Sequence, residues 1–306
     1  MKTQKSGLVE IAILGVLGLL AVLTLAVPQL FRNRGPARLL SLSVLLRDTD
    51  SSGWNVARQG MEQAADELGA ELRFLTLSVQ NDTKEQEELL RREVEGGADA
   101  IISVPADPAA LYAALNRLSA PCPLVTLEAS AGDGAGFVAA DHEELGRRLA
   151  ETLLEDWNGG EVLLLDTGGA CPEAEFRLEA ALAVLTAAGV PAERAAPPED
   201  WTGRRWVMAF EAAATRQAAA EKEACGGSFA LYGVGSSTAI TAFLERGTLA
   251  AVAAWSDYAA GYLAVEQAVQ AIQNQIRPLD PLPFSIVRGE DIYAPENQKL
   301  LFPVTS

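Results

Sequence analysis

The stretch that decides the fold is Leu39-Leu40-Ser41-Leu42-Ser43-Val44-Leu45-Leu46, then Arg47-Asp48 and a polar turn, then Trp54-Asn55-Val56-Ala57-Arg58-Gln59-Gly60-Met61-Glu62-Gln63-Ala64-Ala65-Asp66-Glu67-Leu68-Gly69. The first part is a short apolar run, the signature of a strand buried on both faces of a parallel sheet. The second part repeats at helical period, with Ala57, Met61, Ala64 and Leu68 on one face and charges opposite, and Gly69 as its terminator. A buried strand followed by an amphipathic helix is the first half of a βαβ unit.

Working outward, the alternation continues. Strands are predicted at 72–79, 100–104, 124–127 and 137–140, with helices at 84–95 and 108–118. The pattern then restarts with a helix at 143–156, strands at 162–165, 207–210, 229–234 and 251–254, and helices at 174–188, 214–224 and 237–246. Residues 189–205, rich in proline and acid, read as the longest irregular segment, and long loops often carry function. A helix at 258–275 and a short strand at 284–287 finish the chain. The expected fold class is α/β: two doubly wound parallel-sheet lobes with an interlobe cleft, preceded by one N-terminal transmembrane helix. Lobe 1 is expected to comprise residues 38–141 plus 257–282, and lobe 2 residues 142–256 plus 283–306. In such sheets ligands bind beyond the carboxyl ends of the strands.

Residues 11–27 carry no charge, and their number is close to the shortest that spans a bilayer, about 17. Lys2 and Lys5 precede them, while Pro28, Arg32, Arg34 and Arg38 follow. Residues 1–37 are expected to be a membrane anchor with a basic linker. A cleaved signal ending near Thr24-Leu25-Ala26 and a buried soluble helix are the alternatives. No cysteine follows the run, so lipoprotein processing is not expected. Basic residues flank both ends, which leaves orientation open on charge alone. The binding domain is expected outside the cytoplasm, at the cell membrane.

The formal net charge is -17, from 24 Lys plus Arg against 41 Asp plus Glu. Such a chain repels the phosphates on which nucleic-acid affinity depends, so no nucleic-acid partner is expected. Cys122, Cys171 and Cys225 form no C-x-x-C pair and have no histidine beside them, so neither a metal site nor a cofactor is expected. His142 is the only histidine. Any Ser-His-Asp or Cys-His mechanism must therefore use it. No G-x-S-x-G elbow, phosphate loop or metal motif is present, and no catalytic residue is assigned.

Five blocks taken together carry a resemblance. The opening strand and helix are the first. The second is Glu95-Gly96-Gly97-Ala98-Asp99-Ala100-Ile101-Ile102, and the third Ala139-Ala140-Asp141-His142-Glu143-Glu144-Leu145-Gly146. Leu231-Tyr232-Gly233-Val234-Gly235 is the fourth, and Gly247-Thr248-Leu249-Ala250-Ala251 continuing to Gly261-Tyr262-Leu263-Ala264-Val265-Glu266 the fifth. In order and spacing these resemble the sugar-binding type I periplasmic-binding-protein family, which is also similar to the lac repressor core. The resemblance implies a small sugar held between two lobes by aromatic rings and by charged and amide side chains.

Carried onto this sequence, it implies that Trp54 and Trp201 stack on the ligand from the two lobes, that Arg177 donates to it, and that Glu128 and Glu211 accept from its hydroxyls. A core or staple role is the other reading of both tryptophans, and a surface helix arginine that of Arg177. Arg47 and Asp48 end the first strand either as ligand contacts or as an ion pair bracing the turn. Trp255 and Asp257 flank Ser256 where the family has an amide. Asp141 is expected to cap a helix or serve the hinge. Several departures are visible: Ala129 stands where the family often has arginine, and Gly235 where it has aspartate. A buried hydroxyl left unpaired is costly, so the ligand need not be the family's usual pentose or hexose. A different sugar, a more apolar molecule, or none are the remaining possibilities.

The resemblance implies a receptor for an ATP-driven importer, with its permease as partner. The alternatives are a ligand-sensing subunit for a membrane kinase, or a degenerate module that no longer binds a ligand. A repressor is disfavoured because an apolar segment stands in place of a helix-turn-helix. A glycoside-directed enzyme using Glu128 and Glu211 as an acid–base pair is the weak alternative.

Overall fold

A computed structural model describes residues 38–119, 122–132, 134–168, 172–275 and 277–302. The expected membrane anchor lies outside these. Among the described residues no helix is long and apolar enough to cross a membrane.

Strands β1 (Leu40–Leu45), β2 (Ala70–Leu75), β3 (Ala100–Ser103), β4 (Leu124–Leu127) and β5 (Gly136–Val138) form a parallel sheet in the order β2-β1-β3-β4-β5. Helices α1 (Asn55–Leu68), α2 (Thr83–Glu95) and α3 (Pro108–Asn116) connect them. A second sheet holds β6 (Val162–Leu165), β7 (Ala192–Ala195), β8 (Trp206–Ala209), β9 (Ala230–Val234), β10 (Ala251–Trp255) and β11 (Phe284–Arg288), in the order β11-β10-β9-β8-β6-β7. Its helices are α4 (His142–Asp156), α5 (Pro172–Ala187), α6 (Ala212–Cys225) and α7 (Thr238–Glu245). After it come α8 (Asp257–Ile272) and α9 (Pro295–Leu301). The strand order reverses at β1/β3 in one sheet and at β6/β8 in the other, which opens a crevice at each switch point.

Local chemistry fixes where the helices begin. Asp82, Asp107, Asp141, Ser237 and Ser256 each accept from a backbone N–H in the first turn of the helix that follows, satisfying a donor with no intrahelical partner. Gly69 ends α1 at φ 71°, a conformation that costs glycine nothing.

Strand alternation sorts the core into layers. Leu42 and Val44 face one helical layer and Leu45 the other, while Val162 and Leu164 are likewise separated from Leu163 and Leu165. Helix α8 returns across the chain to pack on α1 and on β3, β4 and β5. A Cβ on Gly261 would lie 1.9 Å from the Ala57 carbonyl oxygen, so only glycine permits that crossing. Gly146 plays the same part where α4 meets α5, with the Arg177 carbonyl oxygen 2.1 Å from the Cβ position. At the crossover between the sheets, Leu282 N donates to Ala139 O at 2.8 Å, and Ala140 bridges Leu282.

Two expectations are corrected. The 189–205 segment is not wholly irregular: Ala-Glu-Arg-Ala at β7 adds an edge strand, which its polar sequence concealed. Leu68, assigned to the buried face of α1, is 37% exposed because it occupies the last turn.

Candidate functional site

The strand ends place the polar groups. Arg47 follows β1, Glu128 follows β4, Glu211 follows β8 and Asp257 follows β10, so the carboxyl ends of both sheets contribute to one region. Arg47 is buried, and its guanidinium reaches Glu128 at 3.0 Å and Glu173, in the first turn of α5, at 3.2 Å. Arg47 and Glu128 come from the first sheet and Glu173 from a helix of the second, so this pairing joins the two.

Glu128 is held in an uncommon conformation. Its φ of 66° is left-handed, Ala129 N donates back to Leu127 O at 2.8 Å, and Glu128 N donates to Val138 O at 3.1 Å. A tight three-residue turn of this kind stores strain in a non-glycine residue and is typical of functional positions. It aims the Glu128 carbonyl at His142 Nε2, 2.8 Å away. On the other side of the ring, Arg177 Nε and Nη2 lie 3.3 and 3.2 Å from Nδ1. Arginine can only donate, so Nδ1 is the acceptor and Nε2 carries the proton given to Glu128 O. Burial, with the neighbouring Arg177 charge, lowers the His142 pKa to about 4 and keeps the ring neutral.

Arg177 is 2% exposed. It also donates from Nη1 to Phe210 O at 2.7 Å, and its guanidinium sits over the Trp255 ring at 5.2 Å. Burial pushes the Glu128 carboxyl up to about 7, with Arg47 opposing and Glu173 reinforcing the rise. Glu211 is raised chiefly by burial, with Arg47 and Arg177 opposing. Asp257 is raised by burial too, against the hydroxyl of Ser236, which donates to its Oδ2 at 2.6 Å. Trp54 Nε1 donates to Asp48 Oδ2 at 2.7 Å, which locks the indole beside the first strand's end.

Two spaces adjoin this network. One is small, about 10 Å³, between Trp54, Trp255, Asp257, Ala260 and Leu282. The other is about 870 Å³ and is lined largely by Ala, Pro and Phe side chains. Glu128 and His142 face both.

Of the residues singled out by sequence, Arg47, Asp48, Trp54, Glu128, Arg177, Glu211, Trp255 and Asp257 are brought into one neighbourhood. Trp201 is not among them: it is 7% exposed and stacks on Phe229 at 5.2 Å in the core beneath α6 and α7, the role left open for it as an alternative. Asp141 caps α4 through its contact with Glu144 N at the crossover. Arg177 is a buried organiser rather than a surface arginine. Sequence reasoning missed Glu173 and His142 as parts of the network. Glu173 lies four residues before Arg177, on the same helix face, and His142 follows the capping Asp141 directly. Among the described residues no group of His, Cys, Asp and Glu is arranged to hold a metal ion.

Comparison with solved structures finds this architecture in several proteins. An ABC transporter solute binding protein from Agrobacterium vitis, bound with alpha-D-tagatopyranose, matches with a TM-score of 0.76 at 16% identity, covering 87% of this chain and 100% of its own. A solute binding protein from Burkholderia graminis in complex with D-arabinose gives 0.74 at 16% identity, covering 85% and 99%. GanP, a glucose-galactose binding protein from Geobacillus stearothermophilus, gives 0.71 at 17% identity, covering 84% and 99%. At these identities the likeness establishes a shared fold. No curated protein sequence matches the chain at a significant level. Residues 42–276 match the periplasmic binding protein domain, most of the chain's length. The two sheets with reversed strand order, the polar groups gathered at their carboxyl ends and this match agree: the chain belongs to the periplasmic binding protein domain family.

Proposed function

We propose that this protein is an extracytoplasmic solute-binding protein that captures a sugar or sugar-like molecule between two lobes and delivers it to an ATP-driven importer. The observation that carries this reading is the convergence of polar groups from both sheets on one seam, where Arg47 joins Glu128 to Glu173. Trp54, Glu211, Trp255 and Asp257 surround it and supply the aromatic faces and acceptors that a polyhydroxylated ligand needs. Relatives of the same fold carry tagatose or arabinose, which supports a sugar here. The acids serve as hydrogen-bond acceptors rather than as a catalytic pair.

The lobes are assigned as residues 38–141 plus 257–282 and 142–256 plus 283–306. The packing of α8 on β3, β4 and β5 and the pairing of β11 with β10 support that division. Residues 11–27 tether the binding domain to the membrane, in keeping with their length and lack of charge. The seam now offers a space of about 10 Å³, room for roughly one water. Ligand entry therefore requires the lobes to part and the Arg47–Glu173 contact to break, so that the ligand selects among lobe arrangements by its differential affinity.

Thermal denaturation of the full-length protein with pentoses, hexoses and polyols tests this. A true ligand at 100 times its Kd stabilises by about 2.7 kcal/mol. The rise should vanish in Trp54→Ala and Asp257→Asn. No response from a folded sample across the panel overturns the reading and favours a second one, an interaction module without a ligand. The tightness of the seam supports that alternative.

A further inference from the structure

The geometry points to a second binding site, one that adjoins the seam and shares Glu128, Glu173 and His142 with it but does not rest on the sugar reading: the 870 Å³ cavity, which takes an organic cation with a flat apolar body. Its volume lies within the range of small-molecule sites, roughly 300–1,000 Å³. Its walls are apolar, with Pro108, Ala131, Phe137, Phe176 and Pro281 among them. Phe176 is 55% and Phe137 38% exposed, so two aromatic rings remain uncovered at a cavity rather than in the core. Isolated exposed apolar residues are ordinary, but aromatics grouped at a concave surface mark a place for a partner.

Charge selects the partner. Asp107, Glu128, Asp141, Glu143, Glu173 and Asp280 line the cavity, and among the described residues that line it there is no lysine or arginine. Glu128 and Glu173 share Arg47, which does not line the cavity, while Asp107 and Asp141 each use Oδ1 to cap a helix. Asp280, beside Leu279 and Pro281 at the exposed edge, adds a carboxylate next to apolar surface. A neutral polyol would leave the aromatic and proline walls unmatched to its hydroxyls, and an anion would meet only like charge. An amine on an aromatic or alicyclic body matches both features, with the ammonium near the carboxylates and the ring against Phe176 and Phe137. The chain's net charge of -17 favours the same class of ligand at a distance.

Isothermal titration of the full-length protein with tryptamine, tryptophol and indole-3-acetate tests the site, because the three share one ring system and differ in charge. Tryptamine should bind with a Kd below about 1 mM, at least tenfold more tightly than tryptophol, with indole-3-acetate silent. Phe176→Ala should weaken tryptamine at least threefold, and Phe176→Ala with Asp280→Asn about tenfold; both positions are exposed, so these variants should fold. Equal affinity for tryptamine and tryptophol, no binding of any of the three, or tryptamine affinity indifferent to both variants would overturn the proposal. The sugar panel run on the same preparation separates the two readings. Tryptamine binding without a sugar response leaves this site standing and sinks the sugar reading, and a sugar response without tryptamine binding does the reverse.

Discussion

Two spaces adjoin Glu128 and His142, and they differ most in room. The one toward Trp54 and Trp255 has room for about a single water, and its two tryptophans are already engaged from behind, Trp54 by Asp48 and Trp255 by Arg177. The one toward Phe137 and Phe176 is about 870 Å³, open, and lined by apolar side chains and carboxylates together. Glu128 and Asp257 are the carboxylates on the first, whereas the second sets six carboxylates beside uncovered aromatic and proline surface. The lesson is that room, rather than polarity, separates the two. The tight seam demands a conformational change of any ligand, whereas the wide cavity demands only complementarity.

The largest effect expected from this contrast is on stability. Arg47→Ala leaves Glu173 buried without its arginine, and loss of one partner of a buried pair typically costs about 3–5 kcal/mol. Urea denaturation reads it directly, and a cost below 1 kcal/mol would mean that the seam is open in solution. Overpacking gives the next largest effect. Ala260→Leu, in the tight space, should destabilise by about 1–3 kcal/mol, whereas Ala109→Leu at the wide cavity should fall within about 0.5 kcal/mol of the parent. Equal costs at the two sites would erase the distinction between them.

A smaller effect concerns pH. Burial raises Glu128 to about 7. The folded protein therefore holds a proton that the unfolded chain releases, and this contribution to stability is complete below the ordinary carboxylate range and lost as pH rises through about 7. His142, lowered to about 4, acts in the opposite sense, with its contribution complete above about pH 6.5 and lost as pH falls through about 4. From about pH 4.5 to 6.5 the two slopes oppose each other. Glu128→Gln removes one of them, so the variant's stability should climb more steeply with pH across that window than the parent's. Superimposable pH profiles would indicate that Glu128 is in solvent rather than buried against Glu173.

The fold was legible because its signals are local. Residues 39–46 and 54–69 carry strand and helix periods without conflict, and β1 and α1 form close to where they were expected. β7 was missed because Glu193 and Arg194 sit in an edge strand that needs no apolar run, only a neighbour with free backbone groups. At the site, Arg47 was legible as the end of the first strand, whereas Glu128, Glu211 and Asp257 were carried over from the family resemblance; topology sends all four to the same end of the molecule. Trp201 was beyond that logic: whether an indole turns toward a cleft or into a core depends on Phe229, a neighbour 28 positions away. Glu173 became a partner of Arg47 only through a contact between segments 126 positions apart, which no local pattern encodes.

The return of α8 onto the first sheet bears on how the molecule is made. Strands β1 to β5 are all complete by residue 138, yet the helix that covers them beside α1 spans Asp257–Ile272. A chain emerging from its amino end therefore carries an apolar sheet face through the synthesis of more than a hundred further residues before its cover exists. Long-range closures of this kind are slow and leave the waiting surface open to association. The waiting chain should engage holding chaperones until residue 272 has emerged, and a stop anywhere between 138 and 257 should yield a product that aggregates rather than a folded half.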